Sequence, residues 1–334
     1  MSQKTRIAIN GFGRIGRHAL KVALKKKNLE VIAINDLTDT KTLAHLLKYD
    51  TAYPDTSLKI SFTDKFLIIN NKKIEVFAEK DPSMLPWKKL KIDVVIESTG
   101  VFTNNEGLKL HLKAGAKKVI LSAPAKGEDV KTYVRGINDS IYSGEEVINN
   151  ASCTTNCTAP VMKVLSENFG VEKAMLTTIH AYTADQRLQD SPHKDLRRAR
   201  AAAQNMVPTS TGAAIATAKV LPEIENKFDG LAIRVPTITV SLSDITVLLK
   251  KNATEKQIND ALIKASKGKL KGILGVTSEP LVSSDFIGNS NSSIVDLTLT
   301  KVVDDNMVKI IAWYDNEWGY ANRLVEMAEI MAKK

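Results

Sequence analysis

Three glycines near the N-terminus constrain this chain more than any other feature of its sequence. Gly11-Phe12-Gly13-Arg14-Ile15-Gly16 follows an apolar strand pattern over residues 6–10 and opens a helical pattern from Arg14 to Lys26. The next apolar run, residues 31–34, leads to Asp36, twenty residues beyond Gly16. A lone G-x-G-x-x-G is weak, but strand before, helix after and acid at this distance define a dinucleotide-binding turn. Gly11 makes the tight turn, Gly13 admits a pyrophosphate to the backbone, and Gly16 lets helix pack closely on strand. The pyrophosphate then meets the helix N-terminus, where free N–H groups and the dipole favour negative charge. Asp36 would accept hydrogen bonds from the adenosine ribose and repel a 2′-phosphate. Leu37 follows it with no cation to welcome that phosphate, so NAD is expected over NADP.

The strand–helix alternation continues through residues 93–97 and 118–122, separated by a helical pattern around Leu108 to Ala114. This predicts an α/β fold: a Rossmann-type doubly wound, parallel sheet over residues 1–151. After residue 150 the strands lengthen: 174–181, 231–235, 237–249, 292–301 and 307–314, the last two flanking Asp304-Asp305-Asn306 as a hairpin turn. A second, catalytic α+β domain with a mostly antiparallel sheet is expected over 152–316. The amphipathic C-terminal helix, 317–334, is expected to pack back on the first domain.

The 334 residues suffice for two cores, and fractions of 43% hydrophobic and 25% charged are those of a globular chain. No apolar run reaches bilayer length and the N-terminus carries no leader pattern, so a cytoplasmic protein without a membrane partner is expected. The net charge of +10 rests largely on lysines scattered through helical patterns, as on an ordinary solvated surface. A denser stretch, residues 193–200, asks for an anionic partner.

Cys153 and Cys157 are the two cysteines, too few for a disulfide scaffold and without further ligands at zinc spacing. No metal is expected. Ser152 reads as a helix N-cap, placing Cys153 in a first turn where the dipole favours a thiolate of lowered pKa. Cys157, one turn on, reads as a packed small residue. Pro160 inside the same helix is expected to kink it or limit its first turns. Of five histidines, His180 ends an apolar strand beside a polar loop, a natural place for a base, although a packed histidine fits the same spacing.

The chain resembles the glyceraldehyde-3-phosphate dehydrogenase family. The resemblance rests on Asn10–Arg17, Ala151-Ser152-Cys153-Thr154-Thr155-Asn156-Cys157 and Trp313-Tyr314-Asp315-Asn316-Glu317-Trp318-Gly319-Tyr320. Residues 178–183, 192–200 and 208–214 extend it in the family's order. It implies NAD-linked oxidative phosphorylation of glyceraldehyde 3-phosphate in glycolysis and gluconeogenesis, through a hemithioacetal and a thioester on Cys153. His180 would be the base. Gly11, Phe12, Gly13, Arg14, Ile15, Gly16, Asp36 and Thr99 would bind the cofactor, and Asn316 would hold its carboxamide. Thr183 and Arg234 would bind the substrate's phosphate. Arg198 would serve as a further anion-site cation, and Ser152, Thr154, Thr211 and Gly212 would hold inorganic phosphate. Residues 183–205 would lie at the core of a homotetramer.

Two stretches depart from the family's usual pattern, Lys48–Pro54 and Asn289–Asn291, and neither includes a proposed catalytic residue. Erythrose-4-phosphate dehydrogenase is the nearest alternative; Thr183, Lys194 and Thr211-Gly212 argue against it. The charge also leaves room for a secondary, weak RNA or polyanion-binding role, with nucleic acid at most a minor partner.

Overall fold

A computed structural model describes residues 4–334. They form two compact units. The first takes the chain through Tyr133, Ile141–Ala151 and Ala321–Lys334; the second takes Val134–Ser140 and Ser152–Tyr320.

In the first unit the elements run β1 (Thr5–Asn10), α1 (Arg14–Leu24), β2 (Leu29–Asn35), α2 (Thr40–Lys48), β3 (Ile60–Phe62), β4 (Phe66–Ile69) and β5 (Lys72–Phe77). They continue with α3 (Trp87–Leu90), β6 (Val94–Glu97), α4 (Asn105–Lys113), β7 (Lys118–Leu121), β8 (Lys131–Thr132) and β9 (Val147–Asn149). The sheet order is β3-β4-β5-β2-β1-β6-β7-β9-β8, parallel from β5 to β8 with β3 and β4 antiparallel at one edge. β1 lies between β2 and β6, so the strand order runs outward from it in both directions. Open α/β sheets bind ligands at such a reversal, outside the carboxyl ends of the strands.

Both faces of the central strands are buried, which explains their continuous apolar runs. Ala8, Ala33, Val95 and Val119 form one core with Trp87 and Leu108. Ile7, Ile9, Ile34, Ile96 and Ile120, alternating with them along the strands, are wholly buried as well. Each such side chain contributes roughly 1.5–3 kcal/mol.

The second unit begins with α5 (Cys153–Phe169), β10 (Val171–Ala181), β11 (Val207–Ser210), α6 (Ala213–Val220), β12 (Phe228–Val235), β13 (Ser241–Leu249) and α7 (Glu255–Lys267). Then come β14 (Leu274–Thr277), β15 (Ser293–Asp296), β16 (Lys301–Val303) and β17 (Met307–Tyr314). The sheet is mixed and mostly antiparallel, in the order β11-β12-β10-β13-β17-β15-β14, with β16 paired to β17. The expected turn is there, Asp304 and Asp305 both having positive φ. The long strand expected over 292–301 is broken into β15, a 3-10 turn at Leu297–Leu299 and β16. Asp296 makes the break by accepting from the Thr298 N–H and hydroxyl. α5 runs through Pro160 as one continuous helix, so the proline does not confine it to its first turns. Residues 154–162 are all buried, so packing on every side offsets one missing backbone bond.

A last helix, α8 (Trp318–Met331), starts in the second unit and ends in the first. There Glu329 accepts from Asn28 at 2.7 Å, and Glu326 approaches Lys26. No helix of the described residues is long and apolar enough to cross a membrane.

Candidate active site

The dinucleotide residues gather at the carboxyl ends of β1, β2 and β6. Gly11 turns with φ near +90°, and a Cβ there would meet the Thr99 nitrogen at 2.6 Å. A Cβ on Gly16 would strike the Gly11 carbonyl oxygen at 2.1 Å, so helix and strand touch through these two glycines. Nothing lies within 4 Å of the place a Gly13 Cβ would take. Gly13 is also the N-cap of α1, and no side chain caps that end. The helix therefore offers uncapped N–H groups beside a clearing, the arrangement a pyrophosphate requires.

Asp36 directly follows the last residue of β2. Its carboxylate accepts from Phe12 N at 2.8 Å and Thr38 N at 3.0 Å, which fixes its direction against the glycine turn. Phe12 is buried, and Arg14 turns its guanidinium to Asp50 at 2.7 Å. The Thr99 hydroxyl donates to Glu97.

In the second unit Cys153 is the first residue of α5. Ser152 caps the helix by accepting from Thr155 N at 3.0 Å. Ala151, just before it, has φ +55°, a left-handed turn that swings the chain from strand into helix. Cys153 Sγ lies 3.4 Å from His180 Nε2, within reach for proton transfer. His180 comes from β10, whose last residues pair in parallel with β12 so that His180 stands opposite Arg234.

That pairing sets the electrostatics. Arg234 Nη1 is 2.7 Å from His180 Nδ1 and 3.1 Å from the Ala181 carbonyl oxygen, which itself lies 2.7 Å from Nδ1. Burial and the adjacent guanidinium lower the His180 pKa to about 3. Burial pushes the Cys153 thiol up, against the pull of Arg234 and the Thr154 hydroxyl. The direction for Cys153 runs against the expected lowered pKa, because burial opposes the thiolate that Arg234 and the Thr154 hydroxyl favour. Cys157 is fully buried against Ser293 and the Ala312 carbonyl, its pKa raised to about 12, and is a packing residue as expected.

The residues expected to bind anions differ in how the protein holds them. Arg234 Nε is buried with no hydrogen-bond partner among the described residues, a donor aimed at something the protein does not supply. Gly212 is the N-cap of α6 with no side-chain cap, and Thr211 Oγ1 accepts from Ala213 N. Thr158 and Thr217 join α5 and α6 in their second turns through hydroxyls 2.8 Å apart. Arg198 is held by Asp185, Thr209 Oγ1 and the Ser210 carbonyl. Thr183 N donates to the Gln186 side chain, and the Thr154 hydroxyl turns inward to Tyr314 at 2.9 Å.

Several contributors escaped the sequence reading. The Tyr314 hydroxyl bridges Thr154 and Thr178 while its ring stands edge-on to His180. Ser241 donates to Asn316 Oδ1 at 2.8 Å and accepts from Ala181 N. It thereby turns the Asn316 amide so that its NH₂ group is the end left to donate. Val240, immediately before, is buried with φ +69°, a position that β-branched residues rarely occupy. No periodicity marks these residues; the antiparallel register that sets Ser241 opposite Tyr314 brings them together.

A glycine turn at a helix N-terminus and a cysteine–histidine pair beside an orphaned arginine fit the class of NAD-linked dehydrogenases. Residues 5–105 match the NAD binding domain described for glyceraldehyde 3-phosphate dehydrogenase, and residues 152–316 match the C-terminal domain of the same family. The chain belongs to the glyceraldehyde-3-phosphate dehydrogenase family and is an NAD-dependent dehydrogenase. It is similar to glyceraldehyde-3-phosphate dehydrogenase 1 of Bacillus cereus, 54% identical over 332 residues and 99% of each chain. Its likeness to the Thermotoga maritima enzyme is 55% over 330 residues, covering 98% of this chain and 99% of that one. The Geobacillus stearothermophilus enzyme is 53% identical over 331 residues, 98% of each.

Proposed function

We propose that the chain oxidises D-glyceraldehyde 3-phosphate with NAD and inorganic phosphate to 1,3-bisphosphoglycerate, through a thioester on Cys153. The observation that carries this reading is the 3.4 Å separation of Cys153 Sγ and His180 Nε2 at a helix N-terminus. NAD, when held by the turn at Gly11–Gly16, Asp36 and Thr99, with Asn316 on its carboxamide, supplies the hydride acceptor.

The substrate's phosphate docks on Thr183 and Arg234, satisfying the orphaned Nε. An anion there draws the guanidinium off His180 Nδ1. The imidazole then changes tautomer, releasing its Nε2 proton to solvent as Nδ1 takes one up; Nδ1–H donates to the Ala181 carbonyl, and the Nε2 lone pair faces sulfur. Sγ attacks the aldehyde carbon while His180 relays the thiol proton to the aldehyde oxygen, giving the hemithioacetal. His180 next takes the hydroxyl proton as that carbon is oxidised to the thioester. Inorganic phosphate, held by Ser152, the Thr154 backbone, Thr211, Gly212 and Arg198, attacks the acyl carbon. The thiolate leaves, and the His180 proton returns to it.

A homotetramer fits the exposed apolar side chains of Leu188, Leu196 and Met206, together with Met175 and Leu231 on the sheet, a surface that copies of the chain would cover. The cytoplasm is the compartment proposed for it.

NADH formation from glyceraldehyde 3-phosphate and NAD, with and without phosphate and beside Cys153→Ser, tests the reading. Sustained turnover that requires phosphate and vanishes in the variant supports it. Turnover indifferent to phosphate overturns the anion-site assignments, and turnover surviving in the variant overturns the thioester.

A further inference from the structure

Beneath the glycine turn lies a buried polar network that the proposed chemistry does not use. Glu97, the last residue of β6, and His111 of α4 are both wholly buried. The Trp87 indole N–H lies 3.0 Å from His111 Nδ1. Indole nitrogen only donates, so Nδ1 must accept and His111 carries its proton on Nε2. That proton points to Glu97 Oε2 at 3.1 Å. Asn10 Nδ2 donates to the same oxygen at 2.5 Å. The other oxygen, Oε1, accepts from the Thr99 N–H at 2.8 Å and from the Thr99 hydroxyl. Four donors converge on one carboxylate.

These partners sit on three strand ends. Asn10 ends β1 and leads into Gly11. Asn35, which ends β2 just before Asp36, donates to Asn10 Oδ1 at 2.7 Å. Ser98, between Glu97 and Thr99, donates its N–H to the Asn10 carbonyl and its hydroxyl to the Gly11 carbonyl, both at 2.7 Å. Gly11 rests so closely on Thr99 that a Cβ would overlap the Thr99 backbone, so a shift of Thr99 is passed to the turn.

We propose that Glu97 is a positioning residue for dinucleotide binding: its carboxylate locks Asn10 and Thr99, and through them the glycine turn and the Asp36 strand end, in the ligand-ready arrangement. The inference rests on the reading of Gly11–Gly16 as the NAD site. Pre-organisation matters there because the cofactor's phosphates meet backbone groups, whose aim no side-chain rotation can correct. Trp87 and His111 complete the device by presenting one fixed imidazole proton to the carboxylate.

The test is titration of the full-length protein with NAD, read by protein fluorescence, beside Glu97→Gln, His111→Leu and His111→Gln. Glu97→Gln keeps the shape but aims an amide NH₂ at donors, and is expected to raise the NAD Kd about tenfold or more. In steady state its KM for NAD rises more than kcat falls, and KM for the aldehyde stays put. His111→Leu removes one donor and weakens NAD severalfold, while His111→Gln, which keeps an N–H at the Nε2 position, restores most of the loss. Glu97→Gln that melts at lower temperature yet binds NAD within about twofold of the parent would overturn the proposal and leave Glu97 a purely structural residue. If Glu97→Gln does not fold, the two His111 variants decide, and equal NAD affinity in both overturns it. Parent protein that fails to bind NAD overturns the cofactor reading itself, and the proposal with it.

Discussion

The two units each bury a polar cluster, and those two clusters are built in opposite ways. Around Glu97 every donor has an acceptor: Trp87 to His111, His111 to Glu97, and Asn10 and Thr99 to the same carboxylate. Around His180 the partners conflict. Nδ1 lies 2.7 Å from both a guanidinium donor and a carbonyl acceptor, and it cannot serve both at once. Arg234 Nε has no partner among the described residues, and Val240 holds strained backbone nearby in sequence to Ser241. A satisfied network has one low-energy arrangement and holds a shape. A conflicted one has two near in energy, and a ligand's charge can choose between them.

The sharpest break of this comparison is His180→Asn, which removes the base. It should lower kcat about 10²–10⁴-fold while leaving the NAD Kd unchanged, as steady-state rates and a fluorescence titration would show. A loss of NAD affinity of the same size would mean the two networks are not separable.

The glycine turn offers the next contrast. Gly16→Ala forces a methyl to 2.1 Å from the Gly11 carbonyl oxygen and should cost about 3 kcal/mol in urea unfolding. Gly13→Ala meets nothing within 4 Å and should unfold like the parent, yet weaken NAD, because the methyl stands where the phosphates approach.

Acid should separate the two histidine sites as well. His180 has a folded pKa of about 3, below the ordinary value near 6.5 of the unfolded chain, so below pH 6.5 the unfolded state binds the extra proton. Its contribution is present above pH 6.5 and is lost as pH falls toward 3. Relative to His180→Asn, the parent should lose on the order of 2 kcal/mol between pH 7 and pH 4.5 in denaturant titrations. Equal losses would show that His180 is not the buried neutral imidazole described.

The smallest effect is expected for Tyr314→Phe. Thr154 and Thr178 lose a shared hydroxyl, for about 1 kcal/mol of stability by thermal denaturation, with the Cys153–His180 pair left in place. A collapse of kcat instead would give the phenol a direct part in the chemistry.

The sequence made some of this legible because a few residues are dictated by local backbone physics. Gly11 and Gly16 must be glycine where a strand, a turn and a helix start crowd together, and Asp36 must follow the next strand. Ser152 before Cys153 announces a capped helix. His180 was visible only as the polar end of an apolar strand, and its partner Arg234 is set by the parallel pairing of β10 with β12. Glu97, His111 and Trp87 were silent. They are scattered along the chain, and the burial of the glutamate's partners together becomes visible only when the sheet places β6 beside β1. The opposing pull of burial on Cys153 was not legible for a related reason. The helix end that favours a thiolate is local, whereas the burial that opposes it arrives through tertiary contacts.

Val240 holds a left-handed conformation that costs a β-branched residue roughly 1–3 kcal/mol, and it does so one residue before the serine that orients Asn316. Glycine or asparagine at 240 would relieve that strain but forfeit the packing of the valine with Phe286 and Ile294, so the exchange offers no easy gain in stability. The same change would slacken Ser241 and with it the amide proposed to hold the nicotinamide ring in one orientation. Stability and stereochemical fidelity would then depend together on a single strained residue.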